Sequence, residues 1–133
     1  MESGAKLIEN ERRRQMEKEG WTADHDDEHV NGEMAAAAVC YASPESIYVK
    51  REHERFVGFV DPWPWDKNWD KRHDYPNTDQ KIEMLVKAGA LIAAEIDRLL
   101  RQKDKEENGA KLVFFNPRKI EEVGYEDDGD IDF

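Results

Sequence analysis

Between Asp79 and Arg101, the residues Ile82, Leu85, Val86, Gly89, Ile92, Ala93, Ile96, Leu99 and Leu100 recur three and four positions apart. That is the period of an α-helix with an apolar side, and a strand, whose side chains alternate with period two, cannot present it as one face. Asn77 or Thr78 stands where an N-cap is needed to satisfy the first free N–H groups. Gly89 removes a side chain at mid-helix, where a second helix can then cross closely. The chain is therefore organised around this helix, and its aliphatic residues are expected to be the core. With 133 residues there is room for one domain with a modest hydrophobic interior.

The other elements follow from their breakers. Ala5 to Glu19 reads as a first helix with a thin apolar stripe, stopped by Gly20 in the left-handed conformation that helix ends favour. Glu33 to Ala42 reads as another, with Asn31 as its cap, an Ala35–Ala38 run that permits close packing, and Ser43-Pro44 as its end. From Glu45 to Asp61 the period changes to two. Ile47-Tyr48-Val49 and Phe56 to Val60 are expected to pair as a hairpin, with the charged Lys50–Arg55 as its turn. Asp61 to Trp69 holds two prolines and three tryptophans, so it is irregular and must seat its rings against the helices. Leu112 to Phe115 has the composition of one more strand, and residues 121–133 carry seven acids, a composition that favours disorder. The expected fold is mainly α: a small helical domain with a core C-terminal helix, a long Trp/Pro-rich loop and a short β-hairpin. Residues 1–103 form the ligand-binding domain, 104–120 a linker with a short strand, and 121–133 an acidic disordered tail.

Charge narrows the partners. Thirty-one acids against 20 bases leave a net charge of −11, which opposes binding along a nucleic-acid backbone or on an anionic membrane. Cys40, the only cysteine, sits in an apolar helix and reads as a small buried side chain. No signal peptide and no apolar run near the roughly 20 residues of a membrane span are present, so the chain reads as cytoplasmic.

The densest polar run is Trp21 to His29, with two histidines and four acids in nine residues. Hard oxygen donors at Asp26, Asp27, Glu28 and Glu33, with His29 beside them, suit magnesium or manganese, and a metal there would bridge phosphates as in nucleotide pyrophosphohydrolases. Alternatively, Asp24, Asp26 and Asp27 cap turns and face water. His25 and His29 do not make a zinc-hydrolase motif, because Asp26 replaces the glutamate base and Asn31-Gly32 interrupts the helix. Trp21 reads as a lid on the core. Among Arg12, Arg13 and Arg14, the Glu9–Arg13 spacing gives a solvated helix pair, unless one arginine turns inward toward an anionic ligand. Glu83–Lys87 and Glu95–Arg98 have the spacing of surface pairs, although Lys87, between Val86 and Ala88, is placed to reach the acidic run instead.

Three resemblances add expectations. The string from Glu11 through Trp21-Thr22 to Asp26–His29, then Gly32-Glu33, Trp63-Pro64-Trp65-Asp66 and Leu85 to Ile92, resembles small phage and prophage proteins of unassigned function, which implies a host-cytoplasm setting. Glu19 to Thr22, Asp26-Asp27, Asp79 and Leu85-Val86-Lys87-Ala88 resemble the ryanodine-receptor repeat domain, without that family's proline-tyrosine segment. This implies a ligand-binding or interaction module, with adenine nucleotides as ligands. A weaker likeness is to all-α, MazG-type nucleoside triphosphate pyrophosphohydrolases, whose paired acidic motifs are out of register here at Glu28, Glu33 and Glu95-Ile96-Asp97. The expectation is a chain that binds a nucleotide or nucleotide-derived signal without turnover. Trp21 and a loop tryptophan such as Trp65 stack on the base, and Arg13 or Lys87 meets phosphate. The competing readings are a magnesium- or manganese-dependent pyrophosphohydrolase and an acidic inhibitor of a host protein; a homo-oligomer is compatible with each.

Overall fold

A computed structural model describes residues 1–43 and 45–113. In chain order the elements are α1 (Gly4–Lys18), α2 (Ala23–Asp27), α3 (Glu33–Ala42), β1 (Val49–His53), β2 (Phe56–Val60), a 3₁₀ turn at Lys67–Trp69, and α4 (Thr78–Val113). The fold is mainly α with one antiparallel hairpin. The chain divides into two units, residues 1–98 and the remainder from Leu99. The described residues of the second unit are helical throughout.

Local chemistry sets the boundaries. Ser3 caps α1, its Oγ accepting from the Lys6 N–H at 3.2 Å, and Gly20 at φ 72° ends the helix where a side chain would be strained. Asn77 caps α4 reciprocally: its Oδ1 accepts from the Gln80 N–H at 2.9 Å, and Gln80 Oε1 accepts from the Asn77 N–H at 3.0 Å. Asn31 does not cap α3. Gly32 takes that position at φ 76°, and Asn31 instead donates its backbone N–H to Glu33 Oε1 at 2.8 Å.

The core joins α3 to α4. Met34, Ala37, Ala38 and Tyr41 pack with Met84, Ala88, Leu91 and Ala94, and Trp21, Trp63 and Trp65 close over them. Here the sequence-based expectation is corrected. The helix lies where its period puts it, but Ile82, Leu85, Ile92, Ile96, Leu99 and Leu100 are exposed. The buried side of α4 is instead the one that carries Met84, Ala88, Leu91 and Ala94, because that is the side that meets α3 and the tryptophans. Gly89 does mark a crossing: a Cβ there would lie 2.5 Å from Ile8 Cδ1 and 2.8 Å from Ile8 Cγ1, so Ile8 of α1 occupies the side chain's place. Glu95 and Arg98 are also buried and bonded to each other rather than forming a surface pair.

The hairpin differs in its turn. Val49 pairs with Val60, Arg51 with Gly58 and His53 with Phe56, so Lys50 to His53 are strand and only Glu54-Arg55 remain for the turn. Ile47 and Tyr48 lie before the strand. Leu112 and Val113, expected in a further strand, continue α4; Phe114, Phe115 and residues 121–133 lie outside the described residues.

Candidate functional site

Gly20 turns the chain out of α1, and the Trp21 N–H donates back to the Gln15 carbonyl at 3.0 Å. The acidic run then coils into the single turn of α2, and Asp26 points inward, 0% exposed. Neither expectation for this carboxylate holds, since it neither faces water nor joins a metal cluster. Its Oδ2 takes the Arg12 Nη2 at 3.0 Å, and its Oδ1 lies 2.9 Å from His25 Nδ1. Arg12 Nη1 also donates to the Trp21 carbonyl at 3.4 Å. Of the three consecutive arginines, Arg12 is thus the one that turns inward, and its anion belongs to the protein itself. His29 Nδ1 lies 3.2 Å from Glu33 Oε2. Among the described residues, no group of three or more His, Cys, Asp or Glu side chains is placed to hold a metal ion, so Asp26, Asp27, Glu28, His29 and Glu33 are not brought together as ligands.

The aromatic groups converge instead. His25 stacks parallel to Trp21, with ring centroids 5.6 Å apart and planes within 2°. Trp65 and Trp69 lie 6.0 and 6.1 Å from Trp21, tilted by 59° and 53°. Trp63 meets Trp65 edge to face at 5.7 Å and carries the Arg72 guanidinium 5.4 Å above its ring. Tyr41 ties this loop to α3: its hydroxyl accepts from the Lys71 N–H at 3.0 Å and donates to the Trp69 carbonyl at 3.4 Å.

Beside these rings runs a groove of about 830 Å³, floored by Leu91 and walled by Glu11, Arg14 and Gln15 of α1, by Trp21 and Tyr41, by Trp69, Lys71, Arg72 and His73, and by Lys87. Its size falls in the range of small-molecule sites. Trp69 is half exposed there. Lys87 Nζ lies 3.8 Å from Glu11 Oε1, a long ion pair, rather than reaching the acidic run or Glu83. Glu83 contacts His73 Nε2 at 3.2 Å. Arg14 is held more firmly, by Glu11 at 2.6 Å and Glu19 at 2.8 Å. Burial works to raise the Glu11 pKa, but the Arg14 hydrogen bond and the charges of Lys87 and Arg14 outweigh it and hold the carboxyl below its ordinary value. Gln15 is buried at the groove wall, and its Oε1 meets no hydrogen-bond donor among the described residues.

The expected ligand-binding residues separate. Trp21 and Lys87 line the same groove, whereas Arg13 pairs with Glu9 at 3.3 Å on the exposed side of α1. Trp65 lines a second hollow, with Trp63, Asp61, Asp70 and Arg72. Sequence reasoning passed over Tyr41 and Lys71, and of the loop tryptophans it named Trp65, whereas Trp69 is the one that lines this groove. The Trp/Pro-rich loop signalled that rings would be buried, but not which of them would stay half open.

Arg72 bridges Asp70 at 2.7 Å and Asp61 at 2.8 Å. Burial raises both carboxyl pKa values, but the hydrogen bonds and charge of Arg72, with the Trp63 N–H on Asp61, together outweigh it and lower them. A folded-state pKa below the unfolded one contributes stability above the ordinary carboxylate value, about 4, that is lost as pH falls through the lower folded values. Urea midpoints should therefore decline below about pH 4, and Arg72→Met should remove on the order of 1 kcal/mol of that acid-sensitive stability, as expected for a partly exposed network. Equal acid sensitivity in both proteins would contradict it.

Comparison with protein-family models, with curated proteins and with solved structures found no match to this chain. Among the described residues, no helix is long and apolar enough to cross a membrane.

Proposed function

We propose that the groove between α1, the tryptophan loop and α4 binds a nucleotide or nucleotide-derived signalling molecule and does not turn it over. The observation that carries this is the convergence of two indole rings, Trp21 and Trp69, 6.1 Å apart, with Lys87 and Lys71 in one groove of nucleotide size. One face of Trp21 is taken by His25, so the base stacks on the exposed indole of Trp69 and against the edge of Trp21. Stacking on an indole contributes about 1–3 kcal/mol per base. Gln15 offers its unpartnered Oε1 to an amino group of the base. The long Lys87–Glu11 contact exchanges readily for a phosphate, whereas Arg14, gripped by two acids, positions Glu11. The resemblance to ryanodine-receptor repeat domains supports the same reading, since two residues that carry it, Trp21 and Lys87, meet in this groove. Turnover is the weaker reading because the Asp26 carboxylate is committed to Arg12 and His25 rather than to a phosphate-bridging metal.

A thermal-shift panel of adenine and guanine mono-, di-, tri- and cyclic nucleotides tests this. A ligand at 100 times its Kd should add about 2.7 kcal/mol to the folded state, a rise in melting point of roughly 8–13 °C for a domain of this size. Lys87→Ala should weaken binding about tenfold, or about 1.4 kcal/mol, with the nucleotide-free melting point little changed. No shift from any nucleotide would overturn the proposal. Pyrophosphate release with magnesium or manganese would overturn its non-catalytic part.

A further inference from the structure

We infer that the outer edge of β2 pairs with the same edge of a second copy of the chain, an inference independent of what the groove binds. β2 is Phe56-Val57-Gly58-Phe59-Val60, a strand of aromatic, β-branched and glycine residues with no charge and no proline. The devices that blunt an exposed sheet edge are therefore missing from it, and the charges of the ladder all lie on β1. Among the described residues the sheet has only these two strands. A ribbon of two strands gains independent stability from further strands or a cover. The register says which backbone groups are open. Across a two-residue turn His53 and Phe56 are a hydrogen-bonded pair, so the N–H and C=O groups of Phe56, Gly58 and Val60 point at β1. Those of Val57 and Phe59 point outward, where they meet no backbone partner among the described residues. These two residues are 55% and 69% exposed.

This edge is complementary to itself. An antiparallel two-fold axis through Gly58 sets Val57 against Phe59 of the second copy, and Phe59 against its Val57, as an isologous interface requires. Both residues face outward, so each of the two pairs exchanges both of its N–H···O=C bonds. At the axis Gly58 meets Gly58 as a non-hydrogen-bonded pair, with Cα atoms about 4.5 Å apart. Directly opposed residues share a sheet face, so the two Val57–Phe59 pairs cover one another on one side of a four-stranded sheet. Charge permits the approach. Lys50, Arg51 and Arg55 outnumber Glu52 and Glu54 in the hairpin, although the whole chain carries −11. A contact of five residues, about 17 Å long, buries less than the roughly 800 Å² per partner of a standard interface, so the dimer forms at micromolar or higher concentration.

Sedimentation of the full chain from about 1 μM to about 1 mM tests the proposal, and a monomer–dimer equilibrium is expected. Val57→Pro removes an N–H that points away from β1, so it should weaken dimerisation at least tenfold with helix content unchanged. Under mild oxidation Gly58→Cys should cross-link to a second copy at least tenfold faster than Val57→Cys. Only the residue on the axis meets its own counterpart within disulfide reach. Cys40, 2% exposed, does not compete. A chain still monomeric at about 1 mM would overturn the inference and leave the edge to an extended segment of another protein. A dimer indifferent to Val57→Pro would contradict pairing through β2. If that variant does not fold, the cysteine variants decide, and equal cross-linking rates at the two positions would overturn the two-fold at Gly58.

Discussion

Asp26→Ala should destabilise the fold by about 3–5 kcal/mol, the cost of leaving a buried guanidinium without its counter-ion. Asp26 is fully buried and supplies both the ion pair to Arg12 and the contact to His25. Arg12 Nε already meets no acceptor among the described residues, so nothing nearby takes over the charge. The Trp21 corner should loosen with it, because Arg12 also donates to the Trp21 carbonyl and His25 stacks on the indole. Urea unfolding measures the loss. Arg12→Met with Asp26→Leu should cost less than Asp26→Ala alone, since a matched apolar pair leaves no stranded charge. Equal costs would mean that the site is held by packing alone.

Leu91→Ala should cost about 3–5 kcal/mol, in the upper part of the range for a buried leucine. Leu91 is 1% exposed, and its neighbours in the core include Ala37, Ala38 and Ala88, side chains too short to move into a cavity. The same residue floors the groove, so the cavity would open beneath the ligand. A loss below about 1 kcal/mol in urea unfolding would show that α3 and α4 can close up after all.

These two side chains mark the limits of what was legible beforehand. The helical period from Ile82 to Leu100 specified α4 and its cap, but α4 has two apolar sides, and period alone does not choose between them. The choice was made in tertiary packing, where Met84, Ala88, Leu91 and Ala94 meet α3 and the tryptophans. Asp26 was illegible for a different reason: its partner lies 14 positions away on another helix, and no local spacing announces a pair of that kind. Gly20, the division at Gly32 and the Trp/Pro-rich loop were legible because each rests on backbone geometry. In the hairpin, a two-residue turn prevailed over the expectation that charged residues form the turn. With only one partner strand, Lys50 to Glu52 can project into water while their backbones pair. Trp21 and Lys87 were placed together by the fold, while Arg13 was claimed by Glu9, the ordinary fate of an arginine four residues after a glutamate.

The most direct test of the groove reads the four tryptophans individually. Each indole N–H gives its own signal in a nitrogen–proton correlation spectrum, and titration with the nucleotide that raises the melting point should move those of Trp21 and Trp69. The Trp65 N–H, buried outside the groove, should move least. Perturbation of Trp63 and Trp65 with Trp69 unmoved would place the ligand in the other hollow. No movement of any indole at millimolar nucleotide would contradict binding in this groove.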